Sequence, residues 1–151
     1  MSVEDRMRLL AATLIAFLCS IAFSQEAHSV AIQRIEHASV FAFGGTGYAG
    51  VTSQGEKDFR TILSQPSSVA EVDFERIYAS GNSEAKSYAL AGIRELDQAH
   101  FKVLLESLNG SNEKVVTMEG CIIEDRPLIK VAQDINSGRY DFWLKPQKQS
   151  H

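Results

Sequence analysis

Apolar residues recur at offsets of three and four through the middle of the chain, and three segments carry the same trio. These are Phe59 with Ile62 and Leu63, Phe74 with Ile77 and Tyr78, and Phe101 with Leu104 and Leu105. The spacing puts each trio on one face of a helix, so each helix offers an aromatic-aliphatic ridge to a shared core. The helix ends are legible too. Ser53-Gln54-Gly55-Glu56 has the form of a capping box and predicts a helix from near Gln54 that stops before Pro66. Ser68-Val69-Ala70-Glu71 repeats the device and predicts a second helix ending around Ser80-Gly81-Asn82. A third runs from Ser83 to Leu96 with Ala85, Tyr88, Ala89, Gly92 and Leu96 along one stripe. Asp97 caps a fourth, stapled by Leu96 and Phe101 and ended by Asn109-Gly110. Short connections make neighbours antiparallel, which gives two consecutive helical hairpins. The trios recur at spacings of 15 and then 27 residues, too uneven for a regular solenoid.

Strand signals flank this bundle. Ser39 to Phe43 is β-rich, and Val115 to Met118 and Cys121 to Ile123 flank a two-residue turn at Glu119-Gly120. Tyr140, Phe142 and Leu144 alternate with Asp141 and Trp143, which reads as a last strand. A fifth helix, Pro127 to Asn136 with Leu128, Val131, Ala132 and Ile135 inward, ends at Ser137-Gly138. Glu124-Asp125 reads as the turn leading into it. Ser29 to Ile35 fits helix or strand. The expected fold is α+β, with four to five helices, two helical hairpins among them, packed with a small, mainly antiparallel sheet.

At the start of the chain the pattern changes. Leu9 to Phe23 is a 15-residue apolar run flanked by Arg6 and Arg8 and followed by Ser24-Gln25, with Ala22 and Ser24 placed as a small-x-small cleavage site. A membrane-spanning helix needs about 20 residues, so the run reads as a cleavable export signal over residues 1–24. Glu4 and Asp5 are out of place in a positive leader, and a start at Met7 gives a cleaner one. Cys19 does not suit lipidation, since Leu18 rather than a small residue precedes it. Residues 25–145 then form one domain and 146–151 a flexible tail, and the expected location is periplasmic or extracellular.

The net charge is −4, and cleavage leaves it unchanged because Glu4, Asp5, Arg6 and Arg8 leave together. Only Lys145-Pro146-Gln147-Lys148 is locally basic, which argues against a nucleic-acid partner. Cys121 is the single thiol left after cleavage, and its setting, Gly120-Cys121-Ile122-Ile123, reads as buried and inert, with a bridge between chains as the alternative.

Three constellations invite chemistry. Gly45, Gly47 and Gly50 spell GxGxxG in Phe43-Gly44-Gly45-Thr46-Gly47-Tyr48-Ala49-Gly50, which resembles the glycine-rich turn of dinucleotide-binding reductases. In those folds a helix begins within the motif and a second parallel strand follows, whereas here Val51 to Gly55 is a loop and Glu71 and Asp73 belong to a helix. The segment is instead a tight loop needing positive φ and close backbone approach, and no cofactor is expected. Ser83-Glu84-Ala85-Lys86 spells SxxK without the companion motifs of that chemistry, so Ser83 reads as a helix-start residue and Lys86 as a solvated neighbour. His28, His37, His100 and His151 are isolated from one another and show no metal-ligand spacing, and His100 is expected to face water.

The leading expectation is therefore a small exported, non-catalytic protein that binds another protein through a helical face or the glycine loop, its oligomeric state open. The residues singled out for interaction are Gly45, Gly47, Tyr48, Gly50 and Trp143. A small-ligand binder using loop 44–50 with Tyr48 and Trp143 is the alternative, and a small hydrolase with a scattered site is the third. The leading reading calls for an exposed apolar patch of several hundred Å², roughly the scale that marks interaction sites.

Overall fold

The segment left open between helix and strand is a helix, α1, over residues 25–36, burying Ala31, Ile32 and Ile35. It is the first element of a computed structural model that describes residues 25–144. The expected leader, its cleavage site, Cys19 and the basic tail lie outside the described residues. His28 Nε2 of α1 lies 2.8 Å from an Asp73 carboxylate oxygen.

After α1 the chain passes through extended residues 39–43. There Phe41 accepts the Met118 N–H at 3.0 Å and donates its own N–H to the Val116 carbonyl at 2.8 Å. A small antiparallel hairpin follows, β1 (Gly45–Thr46) with β2 (Val51–Thr52). Four helices come next: α2 (Gln54–Leu63), α3 (Ser67–Ser80), α4 (Ser83–Leu96) and α5 (Gln98–Ser107). The second hairpin, β3 (Lys114–Glu119) with β4 (Ile122–Pro127), is also antiparallel and leads into α6 (Leu128–Asn136) and the short α7 (Asp141–Leu144). The fold is α+β as expected. The five predicted helices are α2 to α6, and α1 and α7 bring the described residues to seven.

The cap chemistry explains most of these boundaries. Ser53 accepts the Glu56 N–H at 3.0 Å and opens α2. Asp97 is both the last cap of α4 and the first of α5: its N–H goes to the Ile93 carbonyl, and its carboxylate accepts the Ala99 and His100 N–H groups at 2.9 Å. The predicted cap at Ser68 is not made. The Pro66 carbonyl accepts the Val69 and Ala70 N–H groups, which draws both Ser67 and Ser68 into the first turn of α3, where a helical serine cannot cap.

Two strand assignments change. Tyr140 to Leu144 is not a strand: Trp143 and Leu144 both donate to the Tyr140 carbonyl, and Asp141 pairs with Arg94 at 2.5 Å. Tyr140 and Leu144 are both buried, and a spacing of four serves a helix as well as a strand. The β3–β4 turn sits one residue later than predicted, at Gly120-Cys121, with Gly120 at φ 58° in the first loop position, where type II′ turns take glycine. Glu124 and Asp125 belong to β4 rather than to a turn. That strand is largely solvent-exposed, so no apolar alternation marks it.

The three predicted ridges all enter one core, with Phe59, Phe74 and Phe101 fully buried. Helix α4 is its centre and touches α3, α5, α6 and β3. An aromatic cluster ties the extended segment into it. The Phe41 ring lies 4.9 Å from Tyr88 and 5.3 Å from Tyr140, and Phe43 lies 5.2 Å from Phe59. Such edge-to-face contacts contribute about 0.5–1.5 kcal/mol each beyond burial.

Candidate functional site

Residues 42–53 form a loop whose base is pinned from two helices. The Ala42 N–H donates to the Tyr88 hydroxyl at 3.0 Å, and the Ala42 carbonyl accepts from that hydroxyl at 3.1 Å and from Ser53 Oγ at 2.9 Å. Burial pushes the Tyr88 phenol up to about 12, because a phenolate would lose its hydration there. Glu56, fully inside, accepts the Gly44 N–H on Oε2 at 2.7 Å. Its Oε1 accepts two guanidinium donors of Arg60, at 2.8 and 3.0 Å. The predicted return bond from Glu56 to the Ser53 N–H gives way to these partners. The carboxylate that looked like a helix cap is the anchor of the glycine loop.

Above this base the glycines behave as the loop reading requires. Gly47 and Gly50 take φ of 68° and 60°, and a Cβ on Gly45 would stand 2.9 Å from the Gly50 carbonyl oxygen. The turn joins two antiparallel strands and does not open a helix. Its far side joins the second hairpin: the Gly47 N–H donates to the Gly120 carbonyl at 2.8 Å, and Thr46 bridges Gly120 in parallel.

This junction brings the tips of both hairpins together. Tyr48 is fully exposed at 103%, Val51 of β2 is exposed at 56%, and Ile122 and Ile123 are 68% and 63% exposed on the neighbouring strand. Cys121, between Gly120 and Ile122, is exposed as well, which corrects the buried reading. The apolar run around it lies on a turn and an outer strand, not in the core. Ile122 and Ile123 are the exposed residues beside this junction that sequence reasoning missed.

Trp143 does not join Tyr48. Its indole lies against Gly44, 2.8 Å from where a Cβ would sit, and lines a recess of about 210 Å³ with Phe43, Gly45, Tyr140 and the Arg139–Glu119 ion pair. That pair closes at 2.8 Å and continues through Asp134 to Arg126, where the contact is 2.6 Å. Burial raises the Tyr140 phenol above its usual range. Comparison with family models, with curated proteins and with solved structures finds no match to this chain. The residues alone carry the functional argument.

The other constellations resolve into structural pairs. Ser83 Oγ and Lys86 Nζ both reach Glu113, at 3.2 and 2.9 Å, so Lys86 is an ion-pair partner rather than a freely solvated neighbour. His100 Nδ1 lies 3.2 Å from Glu75 with its side chain about one-third exposed. Among the described residues no serine or cysteine is hydrogen-bonded to a histidine, and no three His, Cys, Asp or Glu side chains gather as a metal site. Among these residues, too, no helix is long and apolar enough to cross a membrane.

Proposed function

We propose that this protein is a small exported interaction module that binds another protein through the joined hairpin tips. The observation that carries the reading is the full exposure of Tyr48 at the end of a loop otherwise tied firmly to the core. An aromatic side chain of this kind offers on the order of 200 Å². Val51, Ile122 and Ile123 are further exposed apolar residues of the two hairpins, Ile122 and Ile123 presenting one to each face of β4. Tyrosine is well suited to such a surface, since it supplies large contact area and a polar tip with few rotatable bonds. The anchored base supports the same reading: a rigid tip loses little conformational entropy on binding.

The test compares the full chain with a Tyr48→Ser, Ile123→Ser double variant, each tagged at the C-terminus and recovered from the envelope or medium after crosslinking. A discrete partner retained by the parent and reduced at least about tenfold by the variant, with unchanged folding, is the expected result. Equal recovery from both chains would sink the reading.

A second reading has one observation in its favour, the recess floored by Trp143 and Gly44. At about 210 Å³ it falls below the roughly 300–1,000 Å³ usual for ligand pockets, so it suits only a very small ligand.

A further inference from the structure

A larger cavity, about 500 Å³, lies between α1 and the beginning of α2 and takes no part in the hairpin surface. One side is positive. Ser53 Oγ takes the Glu56 N–H and the Ser53 carbonyl takes that of Lys57, which leaves the Gln54 and Gly55 N–H groups without an acceptor among the described residues. Arg34 projects from α1 beside them, its side chain 55% exposed. The other side is negative. Asp58 lines the same cavity, its side chain is only 7% exposed, and its Oδ2 has no hydrogen-bond partner. Its Oδ1 is held by Gln54 Nε2 at 3.0 Å and, at the outer limit of 3.5 Å, by Arg34.

A buried carboxylate oxygen without a donor is costly, and it calls for a cation or a hydrogen-bond donor. A simple cation, however, would meet the positive end of α2 and Arg34, and a simple anion would meet Asp58. A ligand carrying both charges replaces the long Arg34–Asp58 contact and satisfies both sides. Val30 and Val40 supply apolar wall between them.

We propose that this cavity binds a small zwitterion, an α-amino acid with an aliphatic side chain. The ligand carboxylate accepts from the Gln54 and Gly55 N–H groups and from Arg34. Arg34 leaves Asp58 as it turns toward that carboxylate, and the Asp58 side chain rotates to receive the ammonium. The site is independent of the hairpin tips, so its failure leaves the protein-binding reading untouched.

The test titrates the full, isotope-labelled chain with L-leucine, L-leucinamide and N-acetyl-L-leucine while following the Gln54 and Gly55 amide resonances. Leucine should give saturable shifts, and each blocked analogue should bind at least about tenfold more weakly, since each lacks one charge-assisted contact. Asp58→Asn should abolish the leucine response. Because Asp58 is buried, Arg34→Gln serves as the milder variant, expected to fold as the parent and to weaken leucine about tenfold. No saturable shift with leucine at millimolar concentration, or equal affinity for all three probes, would overturn the proposal.

Discussion

Replacing Glu56 by alanine is expected to lower the stability of the protein by about 3 kcal/mol and to release the glycine loop from the helices beneath it. The size follows from what the carboxylate does. Oε2 is the acceptor of the Gly44 N–H inside the structure, and Oε1 holds two donors of Arg60. Without the carboxylate the Gly44 N–H is a buried donor with nothing to bind, whereas Arg60, about one-third exposed, can turn to water. Glu56→Gln keeps an oxygen for Gly44 and loses the charge, so it should cost only about 1 kcal/mol. Denaturant unfolding gives the energies, and hydrogen exchange at Gly44 reports the loop directly. Equal losses for alanine and glutamine would show that charge, not the loop bond, matters. No loss for alanine would remove Glu56 from the account.

Raising the pH from about 10 to 12 should cost the parent about 2 kcal/mol of stability through Tyr88 alone. The Tyr88 phenol titrates near 12 in the folded chain against an ordinary value of 10.0. Between those values the unfolded chain has lost a proton that the folded chain keeps, so stability falls as pH rises through the window and is intact below it. Tyr140, shifted in the same direction, adds to the fall. Tyr88→Phe should cost about 1–2 kcal/mol at neutral pH, because the Ala42 N–H loses its acceptor, yet it should flatten the alkaline decline. Unfolding curves for both chains across this range measure the difference. An equal alkaline slope in the two would place the titrating group elsewhere.

The helical part of this fold was legible because its signals are local. Caps such as Ser53 and Asp97 and ridges such as Phe59, Ile62 and Leu63 state their structure within a turn or two of chain. What misled were segments whose local pattern serves two outcomes. Tyr140 and Leu144, four apart, suit a helix turn as well as a strand, and long-range contacts to Arg94 and Phe41 accompany the helix. Cys121-Ile122-Ile123 looks like core by composition but lies on a turn and an exposed strand. The candidate surface was half visible: Tyr48 and the glycines were singled out, while Trp143 went to the loop base. Ile122 and Ile123 joined Tyr48 only through the bond from Gly47 to Gly120, a pairing across more than seventy residues that no local spacing records.

The central claim, that the hairpin tips are a protein-binding surface, is tested most directly by a photo-crosslinking residue placed at position 48, at 123 and, as a control, at the exposed Lys102 of α5. Illumination of cells expressing each full chain should give one discrete protein adduct from positions 48 and 123 and none from 102. No adduct from positions 48 and 123, or the same adducts from all three positions, would contradict the account.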